Sequence, residues 1–126
     1  MHENEISYRI IGAAIEVHRT LGGPGLLESI YEDALEVELR MRGLRVERQV
    51  AVPVVYKGQQ LASPLRIDMV VEGLVIVENK AVEQINPIFF TQTLTYLRLS
   101  GLRLGLLINF GDAIVKDGVH RIVNGL

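Results

Sequence analysis

The sequence contains no cysteine among its 126 residues. It therefore has no disulfide framework and no thiolate ligands for a metal. Its apolar runs are much shorter than a membrane span, and its polar, acidic N-terminus lacks the charged-then-apolar pattern of a secretory signal. The formal net charge of −2 does not indicate a surface that is basic overall. These absences favour a cytoplasmic protein that does not enter a membrane.

The composition is typical of one folded domain over residues 1–126, with 48% hydrophobic and 22% charged residues. Apolar periodicity and capping residues predict three helices, over residues 6–20, 26–42 and 86–100. Strand patterns cover residues 46–56, 60–71, 74–81, 104–110 and 114–123. This order predicts an α/β fold, with helices packed on a mixed sheet.

Residues 66–80 are the most informative segment, because they read as two short strands joined by a tight Glu-Gly turn. Asp68 lies on the first strand, and Glu78 and Lys80 lie on the second. Side chains alternate along a strand, so Asn79 should point to the opposite face, where it needs a hydrogen-bond partner. If the strands pair, two carboxylates and one ammonium group converge. Burying them is costly unless a partner or a metal compensates.

Three further polar residues lie on or beside apolar helical stripes: Glu28 in the second helix, Gln92 in the third and His18 in the first. Each has an ordinary structural explanation. Glu28 would favour a helix N-terminus, Gln92 would be a core amide with backbone partners, and His18 would be a buried histidine with a satisfied ring. Asp68 would likewise form a structural salt bridge with a neighbouring cation.

Four arginines cluster where the second helix leads into the first strand. They allow a local nucleic-acid patch, but a solvated helix end whose cations complement the helix dipole is the favoured interpretation. The four are Arg40, Arg42, Arg45 and Arg48.

A single metal site would account for several of the unusual carboxylates at once. Asp68, Glu78 and Glu28 supply hard oxygen ligands, which suit Mg²⁺ or Mn²⁺ rather than zinc, and the three histidines lack zinc-ligand spacing. A metal-bound water can become a nucleophile at neutral pH. Lys80 could position or deprotonate that water, or stabilise the developing phosphorane charge, and Gln92 could orient the water or a phosphate. This arrangement predicts phosphodiester hydrolysis.

The spacing Asp68-x9-Glu78-x-Lys80 resembles the PD-(D/E)XK nuclease superfamily, whose αβββαβ core matches the order of elements over residues 26–110. The stretch Gly25-Leu26-Leu27-Glu28-Ser29-Ile30-Tyr31 resembles the signature of the GxxExxY protein family in that superfamily. The resemblance extends over residues 6–123. Its other segments are residues 11–18, 66–68, 80–81 and 105–111, and Gln92 with Tyr96-Leu97.

The resemblance implies a restriction-endonuclease-like αβββαβ core with an extra N-terminal helix and a C-terminal strand. It also implies metal ligands at Glu28, Asp68, Glu78 and the backbone carbonyl of Asn79, with Lys80 as the catalytic lysine and Gln92 at an assisting helix position. Members of the family often carry a histidine a few residues before that glutamine. This chain has Phe89 and Phe90 there.

The implied function is Mg²⁺-dependent (or Mn²⁺-dependent) hydrolysis of phosphodiester bonds in DNA, with phosphate contacts expected from Arg66, Arg98 and Lys57. Hydrolysis of another phosphoester is not distinguished from it. The alternative is a catalytically weak or inactive binding or accessory module that acts as a homodimer or with a partner protein. The small size, the net charge and the missing histidine favour this alternative.

Overall fold

The computed structural model describes all 126 residues. The helices are α1 (Glu3–Thr20), α2 (Glu28–Met41) and α3 (Ile88–Ser100). The strands are β1 (Val46–Val52), β2 (Val55–Tyr56), β3 (Gln59–Gln60), β4 (Leu65–Val71), β5 (Val75–Lys80), β6 (Leu104–Asn109) and β7 (Val119–Val123), and a short 3-10 helix (Val115–Gly118) precedes β7. None of the helices is long and apolar enough to cross a membrane.

Five of the strands form one mixed sheet in the order β1-β4-β5-β6-β7. The β5–β6 pair is parallel and the other three pairs are antiparallel. A parallel pair needs a crossover connection, which α3 provides between β5 and β6. The predicted α/β class with a mixed sheet is confirmed.

The helices cover both faces of this sheet. Helices α1 and α2 bury the larger core against one face, in a cluster of 19 buried residues that includes Val75 and Val77 of β5. Helix α3 covers the other face, where Leu97 packs in a smaller cluster with Val70 and Ile76. Because side chains alternate along β5, Glu78 and Lys80 lie on the α3 face with Ile76.

The predicted boundaries of three strands are wrong, and proline is the reason in two of them. The strand predicted over 46–56 stops at Val52, and the one predicted over 60–71 resumes in the main sheet only at Leu65. Pro53 and Pro64 mark these breaks, because proline cannot donate to a strand ladder. The strand predicted over 114–123 begins instead as the 3-10 helix.

The turn that joins β4 and β5 matches the prediction. Glu72 and Gly73 both adopt left-handed backbone conformations, with φ of 54° and 68°. A non-glycine residue is uncommon in this conformation. The Glu72 carboxylate accepts a hydrogen bond from the backbone N–H of Arg45 at 2.6 Å, which ties the turn to the start of β1. The hairpin that carries Asp68 and Glu78 is thus anchored at its closed end.

Candidate active site

The pairing register of β4 and β5 brings Asp68 and Glu78 together. Met69 pairs with Val77 and Val70 with Ile76, so one further step in the same register places Asp68 opposite Glu78. Cross-strand neighbours have Cβ atoms about 5 Å apart. At this position the regular backbone pairing between β4 and β5 ends. Instead, the backbone N–H of Asn79 donates a hydrogen bond to Oδ2 of Asp68 at 3.0 Å. The predicted convergence of the two carboxylates is therefore present.

Glu78 is the most perturbed carboxyl group of the site. Only 6% of the residue is exposed, and its Oε1 atom has no hydrogen-bond partner. Burial raises the pKa of Glu78 to about 9, assisted by the negative charge of Asp68 and by a hydrogen bond with the Asp68 side chain. The nearby positive charge of Lys80 acts in the opposite direction. The two carboxylates thus share their site at a high electrostatic cost.

Lys80 does not neutralise this pair through a direct ion pair. None of the ion pairs in the structure includes Asp68, Glu78 or Lys80. The proposed structural salt bridge of Asp68 with Arg66 or Lys80 is therefore absent. Instead, Lys80 Nζ lies 4.4 Å from the centroid of the Phe89 ring, within the range of a cation–π contact.

Glu28 approaches the site from the first turn of α2. It begins the helical stripe that continues into buried Tyr31 and Leu35, as predicted, but the residue itself is exposed because it lies at the end of the helix. Partial desolvation of its carboxyl group nevertheless raises its pKa. The positive charge of Lys80 opposes this rise and the negative charge of Asp68 adds to it, which means that all three side chains influence one another.

The loop before Glu28 explains the glycine and tyrosine of the GxxExxY-like segment. The Tyr31 hydroxyl donates to the carbonyl of Gly23 at 2.6 Å and accepts from the backbone N–H of Leu26 at 3.2 Å. Gly25 has φ of 115°, a conformation that glycine adopts without strain. Buried Tyr31 also stacks on Phe110 with ring centroids 4.8 Å apart. The start of α2, and with it Glu28, is thereby fixed to the core.

Gln92 is exposed, contrary to its predicted position in the apolar arc of α3. The buried polar residue of this helix is Thr93, whose hydroxyl donates to the backbone carbonyl of Phe89. Gln92 Nε2 donates to the Tyr96 hydroxyl at 2.8 Å. The pKa of Tyr96 is raised, mainly by burial and then by the negative charge of Glu78. The Tyr96 hydroxyl therefore lies near the Asp68–Glu78 pair. Gln92 is thus connected to the site through Tyr96.

Asn79 occupies the opposite face, as expected. It is fully buried, and its Nδ2 donates to Met69 Sδ at 3.5 Å, whereas its Oδ1 has no partner. A sulfur atom is a weak acceptor. The Asn79 side chain therefore has one weak hydrogen-bond partner, at Nδ2, and none at Oδ1.

A residue that sequence reasoning missed fixes the chain immediately after Lys80. Buried Asn109 accepts from the backbone N–H groups of Val82 and Gly111 through Oδ1, and donates through Nδ2 to the Val82 carbonyl and to Asp112 Oδ2. A Cβ atom on Gly111 would overlap the backbone of Val82. The signal that could have identified this clamp is a single asparagine within the apolar run 104–110.

The ordinary explanations hold for His18 and for the arginine cluster. The buried His18 ring is 3.1 Å from the carbonyl oxygen of Phe110 through Nε2, so it is a satisfied core histidine. All four clustered arginines form ion pairs with glutamates. They are therefore not a free basic patch.

The predicted metal ligands Glu28, Asp68 and Glu78 are not assembled as one group of three. No group of three or more His, Cys, Asp or Glu side chains is close enough to hold a metal ion, so the carboxylates are present as the Asp68–Glu78 pair with Glu28 as a neighbour. The pair offers hard oxygen atoms, which Mg²⁺ and Mn²⁺ prefer. The unpartnered Oε1 of Glu78 is a buried acceptor of the kind that a cation would satisfy.

A comparison with family models matches residues 4–122 to the PD-(D/E)XK nuclease superfamily. The chain belongs to this superfamily. The mixed sheet and three helices agree with the restriction-endonuclease-like fold expected of a PD-(D/E)XK protein, and such nucleases generally use divalent metals. No curated protein and no solved structure matches the chain significantly.

Proposed function

We propose that this PD-(D/E)XK protein is a nuclease of the GxxExxY type that hydrolyses phosphodiester bonds in DNA with Mg²⁺ or Mn²⁺. The observation that carries the proposal is the Asp68–Glu78 pair. Two adjacent carboxylates, one of them buried with an unpartnered oxygen, are held at a strand end beside a lysine without an ion partner. A site of purely structural charges would be expected to contain compensating ion pairs.

Asp68 and Glu78 would hold the metal, together with the backbone carbonyl of Asn79, and Glu28 would face it from α2. When bound, the ion supplies Lewis-acid polarisation of a phosphate oxygen and a water of lowered pKa. The backbone N–H of Asn79 already occupies Oδ2 of Asp68, which leaves Oδ1 directed elsewhere. This hydrogen bond orients the Asp68 carboxylate before any ligand binds.

In the proposed reaction, water attacks phosphorus, one ester P–O bond breaks, and an alcohol and a phosphomonoester result. The Lys80 ammonium group stabilises the negative charge that develops on the phosphate oxygens. Its contact with Phe89 restricts the positions that Nζ can take without removing its charge. Gln92 and Tyr96 form a hydrogen-bonded pair that could orient the water or the phosphate.

The proposed DNA contacts are exposed cations. Arg66 and Arg98 lie on β4 and α3, the elements that also carry Asp68 and Gln92, and Lys57 lies on the turn between β2 and β3. Phosphate contacts of this kind make affinity fall steeply with salt. We therefore expect weak binding without sequence preference at physiological salt.

The test of catalysis is cleavage of supercoiled plasmid with Mg²⁺ or Mn²⁺ by the wild-type protein and by Lys80→Ala. Lys116→Ala is the matched control, because Lys116 lies on the 3-10 helix and outside the site. We expect nicking by the wild type and by the control, and its loss in Lys80→Ala. Full cleavage by Lys80→Ala would contradict the role of this lysine.

Metal binding can be tested without any activity, by calorimetric titration of Mg²⁺ and Mn²⁺ into the wild type and into Asp68→Ala. Binding that vanishes in the variant is expected if the carboxylate pair is the metal site. The titration should be repeated with a short duplex present, because substrate phosphates commonly complete an Mg²⁺ site. Equal binding by both proteins would place the metal elsewhere.

A second candidate function is a binding or accessory module that is catalytically weak or inactive, acting as a homodimer or with a partner protein. Two observations favour it: the third carboxylate stands apart from the pair, and Phe89 contacts the lysine where a histidine is expected. Absence of metal binding with and without DNA would support this module over the nuclease.

A further inference from the structure

The largest cavity of the protein lies outside the candidate active site, on the outer side of the α1–α2 layer. It has a volume of about 820 Å³ and is lined by the apolar side chains of Tyr8, Ile11 and Ile15 and by the cations Arg9, Arg42 and Lys116. This volume is within the usual range of ligand sites, which are mostly apolar with a few polar groups.

The charges of this cavity are unbalanced. None of its lining residues is acidic. Arg42 pairs with Glu38 at 2.7 Å, but Arg9 donates only to the neutral Arg42 carbonyl and to Met1 Sδ. Lys116 takes part in none of the ion pairs. Two cations in the cavity are therefore available to an anionic partner.

A second cavity, of about 280 Å³, continues the first along α1. The two share Ile15 and Lys116, and the second extends to Arg19 and is bounded by Ile114, which is 63% exposed. From Tyr8 to Arg19 the groove spans about 16 Å of helix, or roughly three turns. Its aliphatic lining residues are Ile11, Ile15, Ala113, Ile114 and Val115.

We propose that this groove between α1 and the 3-10 helix, from Tyr8 to Ile114, binds an acidic amphipathic peptide segment of a partner protein. Aliphatic side chains of the segment would enter the floor near Ile15, and its carboxylates would reach Arg9 and Lys116. Helix-in-groove recognition uses this combination of apolar anchors and flanking charges. The site is independent of the proposed nuclease chemistry.

Other occupants fit less well. Single-stranded nucleic acid binds by stacking bases on aromatic side chains, and Tyr8 is the only aromatic residue besides His18 along the groove. A second copy of the chain would have to present acidic side chains from an exposed helix. The acids on the outer side of α2 are already engaged, because Asp33 pairs with Arg48 and Glu36 with Arg40 and Arg48.

The experiment is selection of a phage-displayed library of random peptides of about 12 residues, the length of roughly three helical turns, against the wild-type protein. Recovered peptides are then titrated by fluorescence anisotropy into the wild type, Ile15→Asp and Lys116→Glu. Arg121→Glu is the charge-matched control, because Arg121 lies on β7 and lines neither cavity. Amide shift changes in NMR spectra map the contact surface.

We expect recovered peptides that combine Asp or Glu with large aliphatic residues at helical spacing. Their affinity should fall about tenfold or more in Ile15→Asp and severalfold in Lys116→Glu, and stay unchanged in Arg121→Glu. Recovery of no binders, or of binders that are basic or insensitive to both groove variants, overturns the proposal. The proposal is also overturned if a (dT)12 oligonucleotide, or a higher concentration of the protein alone, causes the same amide shift changes in the NMR spectra.

Discussion

Two groups of charged residues flank the same sheet but differ in how their charges are compensated. In the first, which we term the arginine network, Arg48 bridges Glu32 at 2.6 Å, Asp33 at 2.7 Å and Glu36 at 3.1 Å. In the second, Asp68 and Glu78 face each other without a cation in ion-pair contact. The first group is electrostatically satisfied within the chain, whereas the second is not.

The difference separates charges that support the fold from charges retained at a cost to it. Glu32 is only 5% exposed, about as buried as Glu78 at 6%, yet it accepts from Arg48 and from Gln49. Arg48 in turn has its pKa raised by hydrogen bonds to Glu32, Asp33 and Glu36, against the effect of burial. Burial is therefore common to Glu32 and Glu78, and the lack of a charge partner is what distinguishes Glu78.

The largest expected effect comes from breaking the arginine network. Arg48→Met would leave buried Glu32 without its charge partner, and removing one member of a buried ion pair costs about 3 kcal/mol. Urea unfolding followed by circular dichroism measures this loss. Arg45→Met is the matched control, because the Arg45–Glu72 pair is largely solvent-exposed on the arginine side and should contribute much less. Equal losses in both variants would contradict the distinction.

A substitution in the Asp68–Glu78 pair should instead raise the unfolding free energy of the metal-free protein. With a pKa of about 9, Glu78 must take up a proton when the protein folds at pH 6. Glu78→Gln removes this cost, so the metal-free protein should gain about 2 kcal/mol of unfolding free energy at pH 6. The same variant should lose Mg²⁺ binding in the calorimetric titration. A Glu78→Gln protein that is less stable than the wild type would show that Glu78 supports the fold.

The pH dependence of stability gives a sharper form of this test. The pKa of Glu78 is about 9 in the folded protein, against an ordinary value of 4.5. Its protonated form stabilises the fold, so this contribution is complete below pH 4.5 and is lost as the pH rises towards 9. The slope approaches about 1 kcal/mol per pH unit. The difference between the unfolding curves of wild type and Glu78→Gln isolates this slope, and parallel pH profiles would contradict it.

The smallest expected effect concerns the contact between Lys80 and Phe89. Phe89→Leu removes a cation–π interaction worth about 0.5–1 kcal/mol. The chain has three lysines, so reductive methylation with ¹³C gives three side-chain signals for NMR. The Lys80 signal should move because the ring current is lost, while those of Lys57 and Lys116 stay in place. Phe90→Leu is the control, because the Phe90 ring contacts His120 instead.

The sequence predicts the site where local pattern alone determines geometry. The alternation along β5 and the Glu72-Gly73 turn place Asp68, Glu78 and Lys80 correctly. The Asn86 side chain accepts from the backbone N–H of Ile88, as expected for the start of α3. Each of these features involves residues that are close in sequence.

The remaining features depend on tertiary packing, which the apolar periodicity of the sequence does not predict. Gln92 and Thr93 both border the apolar stripe of α3, and only the contact of Thr93 with β6 beside Gly105 decides which one is buried. Likewise, α2 begins at Glu28, so that this residue lies at the exposed end of the helix. The approach of Phe89 to Lys80 and of Tyr96 to Glu78 requires α3 to be docked.

The clamp around Asn109 has a consequence for protein synthesis. Lys80 is held in place by β6, since the N–H of Phe110 donates to the Lys80 carbonyl at 2.8 Å and Asn109 fixes Val82. A nascent chain that has not yet exposed residues 104–111 outside the ribosome lacks these contacts. The fixing of Lys80 beside the carboxylate pair would therefore be delayed until residues 104–111 have followed residues 65–80 out of the ribosome.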